Sequence, residues 1–166
     1  MSHLNLFIDA SVNSKTKEGF GAYLFITDLV FRKKKLNNDI NINQFENTTS
    51  TKLEIQNLIG ALKHVPTTAQ KINIYTDSQN IITLPQRREK LELNNYYSKN
   101  NKLLSNHDLY KEFFILSDLF KIELIKVKGH KPKSKKNTID EIFTLVDKAS
   151  RKSSRNTQLI DSMNLD

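Results

Sequence analysis

Residues 4–9, LNLFID, alternate between two faces, with Leu4, Leu6 and Ile8 on one and Asn5, Phe7 and Asp9 on the other, as a strand does. Residues 19–27, GFGAYLFIT, read as a second strand, and a third is expected somewhere between Phe31 and Phe45. The short connections predict an antiparallel meander. The period then changes. In TSTKLEIQNLIGALKHVP, Glu54, Leu58, Ala61, Leu62 and Val65 recur at helical spacing, and Pro66 ends the run. Residues 71–77 form a fourth strand, and residues 78–84 a short helix stopped by Pro85. Residues 86–105 are polar and basic, without a clear period. Residues 107–120 predict a helix with Leu109, Phe113, Leu116 and Phe120 as its stripe. A last strand over 121–127, a basic loop over 129–136 and a helix from 138 to about 155 close the chain. A strand, a helix and another strand in succession require a crossover, and so a parallel pair. The expected fold class is α/β: a five-stranded mixed sheet, three antiparallel strands plus two parallel, flanked by helices on both faces.

A length of 166 residues suits one domain, expected over 1–156, with 157–166 as a tail that frays. Cysteine is absent, which removes disulfides and thiolate metal sites and is compatible with a cytoplasmic location. The opening MSHLNLFIDAS has neither a basic segment nor a long apolar run, so no secretory signal is expected. No apolar run approaches ~18 residues, so no membrane span is expected either. The net charge of +8 favours a polyanionic partner. Basic residues cluster at 32–35, 87–90, 126–136 and 148–155; the plain reading of each cluster is a solvated face.

Two strands end alike, LNLFIDAS on Asp9 and KINIYTDS on Asp77. If they are parallel neighbours, both carboxylates sit at the end of the sheet where ligands bind. A carboxylate closing a buried strand either faces solvent or needs a cation. Glu54 lies in line with the apolar stripe of its helix, although Thr51-Lys52-Leu53-Glu54 also fits a capping box. Asp147 follows Val146 on the last helix, and its plain reading is a pair with Arg151 one turn on. Asp140 and Glu141 suit an exposed first turn. Four ionised carboxylates at one sheet end raise one another's pKa, and divalent cations relieve this. The lack of cysteine and the scarcity of histidine argue against zinc.

The succession IDAS, TKLEIQNL, YTDSQ, KGH and VDKAS resembles ribonuclease H of the type-1 branch, over roughly residues 3–155. The resemblance implies a hydrolase that cuts the RNA strand of RNA/DNA hybrids with two Mg²⁺ ions, or with Mn²⁺ as a substitute. It would leave 5′-phosphate and 3′-hydroxyl ends and act as a monomer. It implies Asp9, Glu54, Asp77 and Asp147 as metal-binding carboxylates and His130 as the loop histidine that assists proton transfer or product release. Ser50, Thr51 and Gln79 match the hybrid contacts, and a substrate role is also expected of Ser11, Asn13, Lys128 and Lys131. Residues 85–110 take the place of the family's basic handle. Short amides and hydroxyls suit reading 2′-hydroxyls across a wide minor groove, while lysines position phosphates. The chain departs from the pattern in Ala10 where glycine is usual and in a lysine-rich stretch from His130 to Asp147 that is longer than usual. Its handle segment also lacks tryptophan and mixes in acids. A non-catalytic nucleic-acid-binding module, or another nuclease of the same superfamily, is the alternative.

Overall fold

The structure, a computed structural model, describes residues 3–69 and 71–164, without the side chains of 157–162. His3–Val12 forms β1 and Gly19–Ile26 forms β2, paired antiparallel from Asn5 opposite Ile26 to Val12 opposite Gly19. The stretch expected to hold one strand is divided. Lys33–Asp39 is a helix, α1, and only Asn41–Phe45 is the strand β3. The lysine run has no two-residue alternation, buries only Leu36, and pairs Lys35 with Asp39 at 2.8 Å one helical turn later.

The remaining elements are α2 (Ser50–Leu62), β4 (Lys71–Thr76), α3 (Gln79–Leu93), α4 (His107–Leu119), β5 (Lys121–Lys126) and α5 (Thr138–Met163). The sheet order is β3-β2-β1-β4-β5, with β1–β4 and β4–β5 parallel. This is the mixed sheet that the alternation and crossovers predict.

Successive side chains of β1 enter two different cores, because strand residues alternate between faces. Leu6 and Ile8 pack with Leu58 and Leu62 of α2, Phe113 of α4, and Ile72 and Ile74 of β4. Phe7 packs on the other face with Leu24, Tyr75 and the α5 residues Ile142, Phe143 and Val146. The sheet is therefore covered by α2 and α4 on one side and by α5 on the other.

Two helix ends differ from expectation. Pro85 does not stop α3, which continues to Leu93 with the proline inside it. The ring removes one backbone donor. The lost donor is the one that would serve the Ile81 carbonyl, while the turn before it keeps side-chain bonds: Arg87 Nη2 donates to the Asn80 carbonyl at 3.0 Å, and Thr83 Oγ1 to that of Gln79 at 2.9 Å. The last helix runs to Met163 rather than to about 155. The side chains of the expected tail over 157–162, and all of 165–166, lie outside the described residues. Among the described residues no helix is long and apolar enough to cross a membrane.

Candidate active site

The β1–β4 ladder ends at Phe7 opposite Tyr75, whose rings stack at 4.5 Å and 8°. Asp9 and Asp77 stand two residues further along the chain from that pair, so both lie on its face of the sheet. β4 ends at Thr76, while β1 continues against β2 to Val12. The sheet thus opens beside Asp9. From one side α5 brings Asp147, and Ser150 Oγ donates to Asp9 Oδ2 at 3.4 Å. From the other side α2 brings Glu54, whose Oε2 accepts from Ser78 Oγ at 2.6 Å. The four carboxylates expected from the sequence are brought to one end of the sheet.

The plainer roles open to these residues divide. The cap of α2 is Thr49, which accepts from the Lys52 N–H at 3.3 Å, so Glu54 lies a turn inside the helix and caps nothing. Asp147 does pair with Arg151, at 2.9 Å. It also shares a hydrogen bond with Asp9. Asp140 is not in an exposed first turn; it is buried. The Asn137 N–H donates to Asp140 Oδ2 and the Asp140 N–H to Asn137 Oδ1, a reciprocal box that starts α5.

Electrostatics in the opening are unfavourable to negative charge. Burial, the hydrogen bond with Asp147 and the charges of Asp77 and Asp147 push the Asp9 carboxyl up to about 8. Burial and then the charge of Asp147 raise Asp77, against partial relief from Lys126 and His130. Burial also raises Glu54, while the Ser78 hydrogen bond opposes the rise. Asp77 therefore has cations near it but, among the described residues, no ion pair. No three His, Cys, Asp or Glu side chains among the described residues converge tightly enough to hold a metal by themselves. The donor set is all oxygen and short of positive charge. That suits a hard divalent cation, which takes few carboxylates and completes its shell with water and phosphate oxygens.

Of the other expected residues, Lys128, His130 and Lys131 border this opening. A cavity of about 70 Å³ is lined by Asp77, Lys128, His130, Asp147 and Arg151. His130 is exposed and held at φ 60°, a left-handed backbone unusual for a side-chain-bearing residue. Lys131 is engaged with Asp140 at 3.1 Å, which ties the loop to α5. Gln79 opens α3, and its Oε1 accepts from Lys126 Nζ at 2.8 Å. Ser50 and Thr51 are exposed on the first turn of α2. Ser11 lies on β1, and Asn13 Oδ1 accepts from the Lys15 N–H at 3.0 Å to shape the turn that follows.

In the place of the handle, Arg87 bonds Asn80 Oδ1 at 2.8 Å and lies over the Tyr110 ring. Arg88 makes a two-pronged pair with Asp118 at 2.6 and 2.8 Å and lies over Phe114. Both arginines are committed to joining α3 to α4.

The family model described as RNase H matches residues 1–151. The chain belongs to the RNase H family. It is 33% identical over 101 residues to a ribonuclease H from a Thermoanaerobacter species, covering 60% of this chain and 64% of that one. It is 34% identical over 101 residues to a ribonuclease H from Caldanaerobacter subterraneus, covering 60% and 65%. A ribonuclease H from Acetivibrio thermocellus is 27% identical over 148 residues, covering 87% of this chain and 94% of its own. The first two matches thus span a little under two thirds of those relatives' length.

Three residues of this RNase H-family site carry no local signal. Ser78 stands between Asp77 and Gln79 in TDSQN and holds Glu54 from 24 positions away. Lys126 closes an apolar strand and reaches Gln79 across 47 positions. Asn57 looks like a polar residue on a helix, yet its Nδ2 donates to the carbonyls of Asp9 at 3.1 Å and Ala22 at 3.0 Å.

Proposed function

We propose that this chain is an endonuclease that hydrolyses the RNA strand of RNA/DNA hybrids, with residues 1–156 as its catalytic unit. The observation that carries the reading is the meeting of Asp9, Glu54, Asp77 and Asp147 where the parallel β1–β4 pairing ends, with Asp9, Glu54 and Asp77 each raised from its ordinary value. Family membership and the ribonuclease H names of its relatives support the same substrate. Asp9 and Asp77 would hold two divalent ions, Mg²⁺ or Mn²⁺, between them. Asp147 would complete one site, and Glu54 would orient the water and 2′-hydroxyl side. Such ions supply charge neutralisation at the phosphate and a more acidic water.

The rest of the chemistry falls to the chain. Water adds to phosphorus, the bond to the 3′ oxygen breaks, and that oxygen leaves with a proton, giving 5′-phosphate and 3′-hydroxyl ends. His130, exposed on its loop beside Asp77, accepts and returns protons as a general acid–base group does. Ser11, Asn13, Ser50, Thr51 and Gln79 would contact the minor groove, and Lys128 and Lys131 the phosphates.

Labelled RNA/DNA, RNA/RNA and DNA/DNA duplexes incubated side by side with Mg²⁺ or Mn²⁺ test this. The expected result is cutting of the RNA strand in the hybrid alone, stopped by a chelator. Binding without cleavage under both metals would leave a nucleic-acid-binding module. Cutting of DNA/DNA would point to another nuclease of the superfamily.

A further inference from the structure

We infer that the seam between α1 and α5 is a second contact surface for the nucleic-acid backbone, engaging duplex that extends beyond the carboxylate opening. The identity of that duplex rests on the hybrid-cleaving reading. A groove of about 430 Å³ lies there, lined by Ile40, Ile42 and Leu145 and by Lys33, Lys148 and Lys152. Among the described residues no carboxylate lines it. Lys34 stands beside Lys33 in a second groove on the far flank of α1, where Asp39, the one acid among the described residues lining it, is paired with Lys35. Lys33, Lys34, Lys148 and Lys152 are exposed, and among the described residues none is in an ion pair. Like charges gathered in one groove without acids repel one another, and a polyanion relieves that repulsion.

The occupant follows from continuity with the site. Asp147 borders the carboxylate opening, and Lys148, the next residue, borders the seam. Two faces of α5, about 100° apart round its axis, thus border the two grooves. A duplex carries one charge per ~1.7 Å of its axis, so a strand leaving the opening meets the lysine row a short way on, where a small anion would engage one or two of them. The handle's arginines are already committed to Asn80, Glu92 and Asp118, so the seam's lysines add to the few cations the handle offers through Lys90, Lys99 and Lys102.

The test is duplex binding by the full chain with a chelator present, so that no cleavage is needed. The probe is a fluorescent RNA/DNA hybrid of ~24 base pairs titrated across a salt series. One variant carries Lys33→Gln, Lys34→Gln, Lys148→Gln and Lys152→Gln; a second carries arginine at the same four positions. The glutamine variant is expected to flatten the slope of log Kd against log salt by about 3–4, at ~0.9 for each phosphate it no longer neutralises. Between ~50 and ~200 mM salt the wild type should then weaken about a hundredfold more than that variant. The arginine variant should keep the wild-type slope. An unchanged slope and Kd in the glutamine variant would overturn the inference, whether the seam is idle or takes an acidic protein segment. A changed slope in a protein that never cuts the hybrid would leave the seam standing and sink the nuclease reading; cutting with an unchanged slope would do the reverse.

Discussion

Asp9→Asn should abolish hybrid cleavage, by on the order of 10³-fold or more, and at the same time make the protein more stable at pH 8. The two effects share one cause. The Asp9 carboxyl stands at about 8 in the folded chain against an ordinary value of 3.8, because it is buried and faces Asp147 and Asp77. Between those values the folded state holds more protons than the unfolded state, so stability falls as pH rises from about 4 to about 8. Asparagine keeps the shape and has no charge to bury. The expected gain at pH 8 without divalent metal is about 2–3 kcal/mol, or about 4–12 °C in the thermal midpoint. It should disappear near pH 4. Mg²⁺ should narrow the gap by stabilising the wild type, since a ligand of the folded state shifts the equilibrium toward it. Asp77→Asn should lose cleavage too, with a stability change of the same sign. Thermal scans at the two pH values, with cleavage assays alongside, decide it; a midpoint that falls at pH 8 would show that the site tolerates the Asp9 charge.

Gly21→Ala should be the costliest small change in the sheet. Gly21 lies opposite Ala10, and a Cβ there would run into the Asn57 side chain. The backbone of Gly21 has no positive φ, so space is the constraint. Asn57 is 1% exposed, and its amide ties α2 to the carbonyls of Asp9 and Ala22. Displacing it strands buried polar groups at about 1–3 kcal/mol and adds overpacking of about 1–3 kcal/mol. The expected loss in urea unfolding is about 2–5 kcal/mol. Cleavage should weaken as well, because Asp9 loses its tether. Asn57→Ala vacates the space, so the double variant should be less unstable than the two single losses added together. Strict additivity would mean that the two side chains do not meet.

Most of the strands and the four carboxylates are legible in the sequence because both rest on local pattern: alternation of period two, and an acid where an apolar run stops. Asp9 and Asp77 can be placed together once the order of elements requires a parallel pair. The cap of α2 lies two residues before the one the capping-box pattern selects, because Thr49, Ser50 and Thr51 all suit that position. At Pro85 the local rule for helix ends fails, since the helix carries the proline inside it and runs on to Leu93. The α1 helix leaves almost no periodic signal, having seven residues and one buried leucine. Ser78, Lys126 and Asn57 act across 24, 47 and 48 positions, and nothing near them in the chain announces their partners.

The parallel pairing of β1 with β4 has a consequence for how the molecule comes into being. Asn73 meets Asn5 across 68 positions, and Ser150 meets Asp9 across 141. The β1–β2–β3 meander can form from neighbouring sequence, but closing those long loops carries an entropy cost that slows folding. Asp9 gains Asp77 only when the first long loop closes, and Asp147 only when α5 docks. Assembly of the acidic cluster is therefore a late event, and a nascent chain still lacking its last helix carries three of its four acids and no finished centre.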